Sequence, residues 1–149
     1  NFQKLISSWF YTHMTQLTRL PTLHVEDDQW EIDFWKYTFT RIWIPEHIQK
    51  QAKSLRGLGE VLINTQQFSI VLLDGKFPEE PGGSKEFNAR NAYDRIRQAG
   101  YMGPIAVYSW EDKDLLNKNL EGTDVTIFQK WWLEIDKLQQ FIKDKLTVV

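Results

Sequence analysis

Two spacings of apolar residues alternate along this chain. Blocks of consecutive apolar residues, the mark of strands buried on both faces, lie at Thr22–Val25, at Ser69–Leu73 (SIVLL), at Pro104–Tyr108 (PIAVY) and at Val125–Phe128. Between them the apolar residues fall at helical spacing. Trp30, Phe34, Tyr37 and Phe39 predict a helix over Asp28–Arg41, broken before Pro45. Further helices are predicted over Leu55–Thr65, over Lys85–Ala99 closed by Gly100, and over Asp112–Glu121 ending near Gly122. The last, Trp131–Leu146, offers Leu133, Ile135, Leu138, Phe141, Ile142 and Leu146 to an inner face. A weak strand is expected within Glu46–Ala52. The segment Gly75–Ser84 holds Pro78, Pro81, Gly82 and Gly83 and reads as an irregular loop.

The order is strand then helix, five times over, which predicts a parallel five-stranded sheet with helices on both faces. Residues 21–149 form that domain. Residues 1–20 precede it as an amphipathic helix, with Phe2, Leu5, Ile6, Trp9, Phe10, Met14 and Leu17 on one stripe, ended by Pro21. The stripe has two readings of equal weight: it packs on the domain's own surface, or it is a linker or dimer helix to a second copy or an upstream domain. The start at Asn1 rather than Met suits a piece of a longer protein.

A length of 149 residues fits one domain and a short extension. The net charge of −2 argues against nucleic acid as the partner, and the absence of cysteine excludes disulfides and thiolate metal sites. No apolar run reaches the roughly 18 residues that would cross a membrane, and no signal peptide is visible, so a cytoplasmic location is expected. No DNA-binding segment is expected after the last helix. His13, His24 and His47 show no zinc spacing. Glycine-rich phosphate loops are also missing.

Polar residues follow four of the strands: Glu26 and Asp27 the first, Asp74 the third, Ser109 the fourth and Lys130 the fifth. Ligands of open α/β sheets bind at those carboxyl ends, so these distant residues are expected to converge. Grouped carboxylates repel one another, and a hard cation such as Mg2+ relieves the repulsion. Asp74 is then a candidate nucleophile for a phosphoryl group, with Lys130 stabilising charge on the transferring oxygens and Ser109 donating to the bound group. Each residue alone has a plainer reading: Glu26-Asp27-Asp28 as a solvated helix cap, Lys130 as a surface lysine, Ser109 as a loop hydroxyl. Their weight lies in the set.

The segments LHVEDDQW, IVLLDGKFP, IAVYS and TIFQK, in this order and spacing, resemble the signature segments of response-regulator receiver (CheY-like) domains. The likeness covers about Pro21 to Leu146. It implies a flavodoxin-like (βα)5 doubly wound sheet, Asp74 as phosphoacceptor, and Mg2+ held by Glu26, Asp27, Asp74 and the backbone carbonyl of Lys76. Ser109 and Lys130 would contact the phosphoryl group, and a sensor histidine kinase or phosphotransfer protein would supply it. The chain departs from the pattern in several places. Trp110 follows Ser109 where a small residue is usual, and Lys76 places an ammonium near the metal. Ile127 stands where many receivers carry Phe or Tyr. Trp131 replaces the usual proline, which removes the reason for a cis peptide. These departures support a second reading, a pseudo-receiver that binds partners independently of phosphate. A phosphatase of the haloacid-dehalogenase kind is a poorer fit, because Lys76 stands where its second acid belongs.

Overall fold

A computed structural model describes residues 20–42, 44–130 and 132–147. Five parallel strands form one sheet: β1 (Thr22–Val25), β2 (Gln49–Ala52), β3 (Ile70–Leu73), β6 (Ile105–Ser109) and β7 (Thr126–Gln129), in the spatial order β2-β1-β3-β6-β7. The order reverses beside β1, and Val25 lies level with Leu73 across the β1–β3 pair. Residues 26 and 74 therefore leave the sheet side by side. Two short strands, β4 (Lys76–Phe77) and β5 (Phe87–Asn88), pair antiparallel outside it.

Alternation along β3 builds two cores. Ile70 and Leu72 face one side, with Trp35 and Phe39 of α1 (Gln29–Arg41) and Leu138, Ile142 and Leu146 of α5 (Trp132–Thr147). Val71 and Leu73 face the other, with α2 (Leu55–Asn64), α3 (Ala89–Gln98) and α4 (Lys113–Asn119). The doubly wound arrangement expected from the sequence is present. Residues 1–19 of the predicted helix over 1–20, and the peptide bond at Trp131, lie outside the described residues.

Several boundaries moved for physical reasons. The helix expected from Lys85 begins at Ala89, because Asn88 caps it: its side chain accepts from Asn91 N while the Asn91 side chain accepts from Asn88 N. Asp28 and Asp112 lie outside their helices as N-caps. Glu46–Ile48 is a 3-10 turn before β2 rather than part of the strand. Within the expected irregular loop, Lys76–Phe77 forms the first strand of a small ribbon, while residues 78–84 remain irregular. Phe77 is fully buried, and the carbonyls of Pro78 and Glu79 accept from Leu55 N and Arg56 N at 2.9 Å each, satisfying amides that the first turn of α2 leaves open.

Candidate functional site

Glu26, at the end of β1, turns back on its own chain: Oε1 accepts from Asp27 N and Asp28 N at 3.1 Å each. Asp74 at the end of β3 accepts from Gly75 N at 2.8 Å. These two and Asp27 each offer a carboxylate oxygen within 4.8 Å of the others. Lys130 enters from the end of β7, where its backbone N–H donates to Ser109 O. Its ammonium is buried and shared, 3.2 Å from Glu26 Oε2, 3.4 Å from Asp74 Oδ1 and 3.7 Å from Glu31 Oε1. Glu26, Asp27, Asp74 and Lys130 are thus brought together as their positions after the strands predict.

Ser109 is buried on the other side of Asp74, and its Oγ accepts from Glu111 N at 3.1 Å. Gly75 lies against both residues. A Cβ there would collide with Ser109 Oγ and Glu111 Oε1, so the close approach leaves room only for glycine. The Lys76 side chain is exposed on β4, close enough for its charge to act on Glu111. Ile127 is half-buried, and Trp110 is exposed beside Ser109.

Charge here is unbalanced. Burial first, then the charge of Asp74, pushes the Glu26 carboxyl up to about 8 against the pull of Lys130. Burial also raises Asp74, with Lys130 opposing, and raises Glu31 and Glu111. Burial works to lower the Lys130 ammonium, but Asp74, Glu26 and Glu31 outweigh it and hold it charged. His24, in β1 beneath the site, is driven down to about 3 by burial and then by Lys130, so it stays neutral. It packs edge-on against Trp35.

The donor set suits a hard divalent cation. All three groups are oxygens, their mutual repulsion is what a cation relieves, and Asp27 Oδ1 is buried with no hydrogen bond among the described residues. One ammonium already stands there: Lys85 Nζ, from the ribbon, is 3.4 Å from Asp27 Oδ1.

Two members escaped the sequence. Glu31 is buried on α1, four residues before Trp35 and eight before Phe39, in phase with the helix's inward stripe. That phase was the available signal. Glu111 has both carboxylate oxygens shielded without a hydrogen-bond partner among the described residues, and nothing in its sequence neighbourhood marks it.

No protein-family model and no curated protein matches the sequence. Solved structures do match the fold. A response regulator receiver protein from Sinorhizobium medicae superposes with a TM-score of 0.67 at 15% identity, over 87% of this chain and 95% of that one. The beryllofluoride-activated receiver domain of Klebsiella pneumoniae RstA gives 0.61 at 20% identity, over 86% and 99%. The receiver domain of a signal transduction histidine kinase from Syntrophus aciditrophicus gives 0.61 at 16% identity, over 85% and 89%. The chain therefore has the receiver-domain fold that its four segments resemble.

Proposed function

We propose that this chain is the receiver domain of a two-component phosphorelay, accepting a phosphoryl group on Asp74 with Mg2+ and signalling by a change of conformation. The observation that carries this is the meeting of Glu26, Asp27 and Asp74 at the ends of paired strands, around a buried Lys130. The donor is a phosphohistidine of a sensor kinase or phosphotransfer protein, and the setting is the cytoplasm. The chain is a phosphoacceptor, not a turnover enzyme.

Glu26, Asp27 and Asp74, with the Lys76 carbonyl, would hold Mg2+, which supplies positive charge to the phosphoryl oxygens. An Asp74 carboxylate oxygen forms the bond to phosphorus while the phosphorus–nitrogen bond breaks. The donor imidazole leaves with the electron pair and takes a proton from solvent. Lys130 turns from Asp74 to the oxygens of the new acyl phosphate. Ser109, whose Oγ accepts from Glu111 N, donates its own proton to one of them.

The test is calorimetry with beryllofluoride, with and without Mg2+. Saturable binding that requires Mg2+ and disappears in Asp74→Asn is expected. A second reading, a phosphate-independent interaction module, is favoured by the Lys85 ammonium beside Asp27 and by the exposed Trp110. Failure of both Mg2+ and beryllofluoride to bind would make it the better account.

A further inference from the structure

Beside the acidic cluster lies a cavity of about 630 Å3 to which the phosphoacceptor reading gives no role. Its size is that of small-molecule sites. Four aromatic rings line it, those of Trp30, Phe34, Tyr108 and Trp110. Its charged groups, Glu31 and Lys130, are both buried and so form its inner end. Trp30 and Trp110 are 69% and 70% exposed, unusual for such large apolar rings, and Trp30 lies flat on Phe34 with centroids 5.7 Å apart.

We propose that this cavity binds an organic cation, an amine or quaternary ammonium on an apolar or aromatic body. The walls favour it, since ring faces attract positive charge. One ammonium already uses such a face: Lys130 Nζ lies 5.6 Å from the Tyr108 centroid. The charge at the inner end favours it too. Lys130 is already shared by Glu26, Asp74 and Glu31, so its positive charge is engaged and offers an entering anion little, while Glu31 gives an entering cation a partner. Of the three carboxylates only Glu31 lines the cavity, and at 3.7 Å it has the longest contact with Lys130. It is the one an incoming ammonium takes.

Withdrawing Glu31 from Lys130 leaves that ammonium to Glu26 and Asp74. Cavity ligand and Asp74 state are thereby linked, each altering affinity for the other. This linkage rests on the phosphoacceptor reading; the binding itself does not.

The experiment follows the indole N–H resonances of Trp30 and Trp110 in the 15N-labelled chain, assigned with Trp30→Phe and Trp110→Phe. The probes are 2-phenylethylammonium, neutral 2-phenylethanol and anionic phenylacetate. Saturable shifts of both indoles with the ammonium are expected, with affinity about tenfold weaker for the alcohol and weaker still for phenylacetate. Glu31→Gln should weaken the ammonium about tenfold and leave the alcohol unchanged. Equal or tighter binding of the alcohol or phenylacetate overturns the proposal, as does unaltered ammonium affinity in Glu31→Gln. Indoles that ignore all three probes overturn it as well. So do resonances that broaden with protein concentration alone, which would assign the cavity to a second copy. Loss of beryllofluoride binding with ammonium binding intact would sink the phosphoacceptor reading and spare this one.

Discussion

Arg97 and Lys130 each hold carboxylates beside aromatic rings, at opposite ends of the sheet, and the two clusters end in opposite electrostatic states. Arg97 donates to both oxygens of Asp124, at 3.0 and 3.1 Å, and to Tyr101 O at 2.7 Å. Its guanidinium lies 5.2 Å from the Tyr93 centroid and 5.5 Å from that of Tyr101, and Tyr93 Oη donates to Asp124 at 2.9 Å. One cation meets one carboxylate, and the hydrogen bond from Arg97 holds the Asp124 carboxyl below its usual range. Lys130 meets three carboxylates, and Glu26 is driven far above its usual range. The first cluster ties α3 to the segment before β7. The second crowds buried carboxylates around one ammonium.

Removing each cation gives the largest effect. Lys130→Met should cost about 3–5 kcal/mol in urea unfolding at neutral pH, because it strands buried carboxylates. Arg97→Met should cost about 1–2 kcal/mol, since Asp124 falls back on water. Equal losses would erase the distinction between the clusters. Next come the carboxylates. Asp74→Asn should raise stability by about 1–2 kcal/mol without metal, by relieving repulsion. Asp124→Asn should lower it by about 0.5–1 kcal/mol. A destabilised Asp74→Asn in thermal unfolding would show that its contact with Lys130 outweighs the repulsion.

The smallest effect is on pH dependence at Asp124. Its folded pKa lies below the unfolded one. Its contribution is therefore present above about pH 4 and lost as pH falls through the folded value. The difference between wild type and Asp124→Asn should shrink by a few tenths of a kcal/mol on acidification, and shrink likewise in 1 M salt. A difference that grows in acid would reverse the assignment.

The contrast also marks what the sequence could reveal. The central strands were legible because burial on both faces writes them as unbroken apolar runs, IVLL above all. Glu26, Asp27, Asp74 and Lys130 were legible because they follow those runs. The edge strand β2, QKQA, was faint because an edge tolerates polar residues. On α1 the aromatic residues marked the helix but not its inner face: Trp30 and Tyr37 are exposed, while Ile32, Trp35 and Phe39 are buried. The helix was read without an inward face, and Glu31 went unmarked. Prolines and glycines marked the segment after Asp74 as a loop, and two-residue strands are too short to show a period. Glu111 Oε1 lies against Gly75, a contact between distant segments that no local pattern records.

That approach also bears on how the chain can diverge. Gly100 has a φ of +104° and, among the described residues, nothing within 4 Å of where a Cβ would stand, so its constraint is conformational, and any side chain there strains the backbone. Gly75 is confined by its neighbours, Ser109 and Glu111, in another strand's loop. The Glu111 carboxylate can swing aside, but Ser109 Cβ cannot, so drift at position 75 should wait on change at position 109.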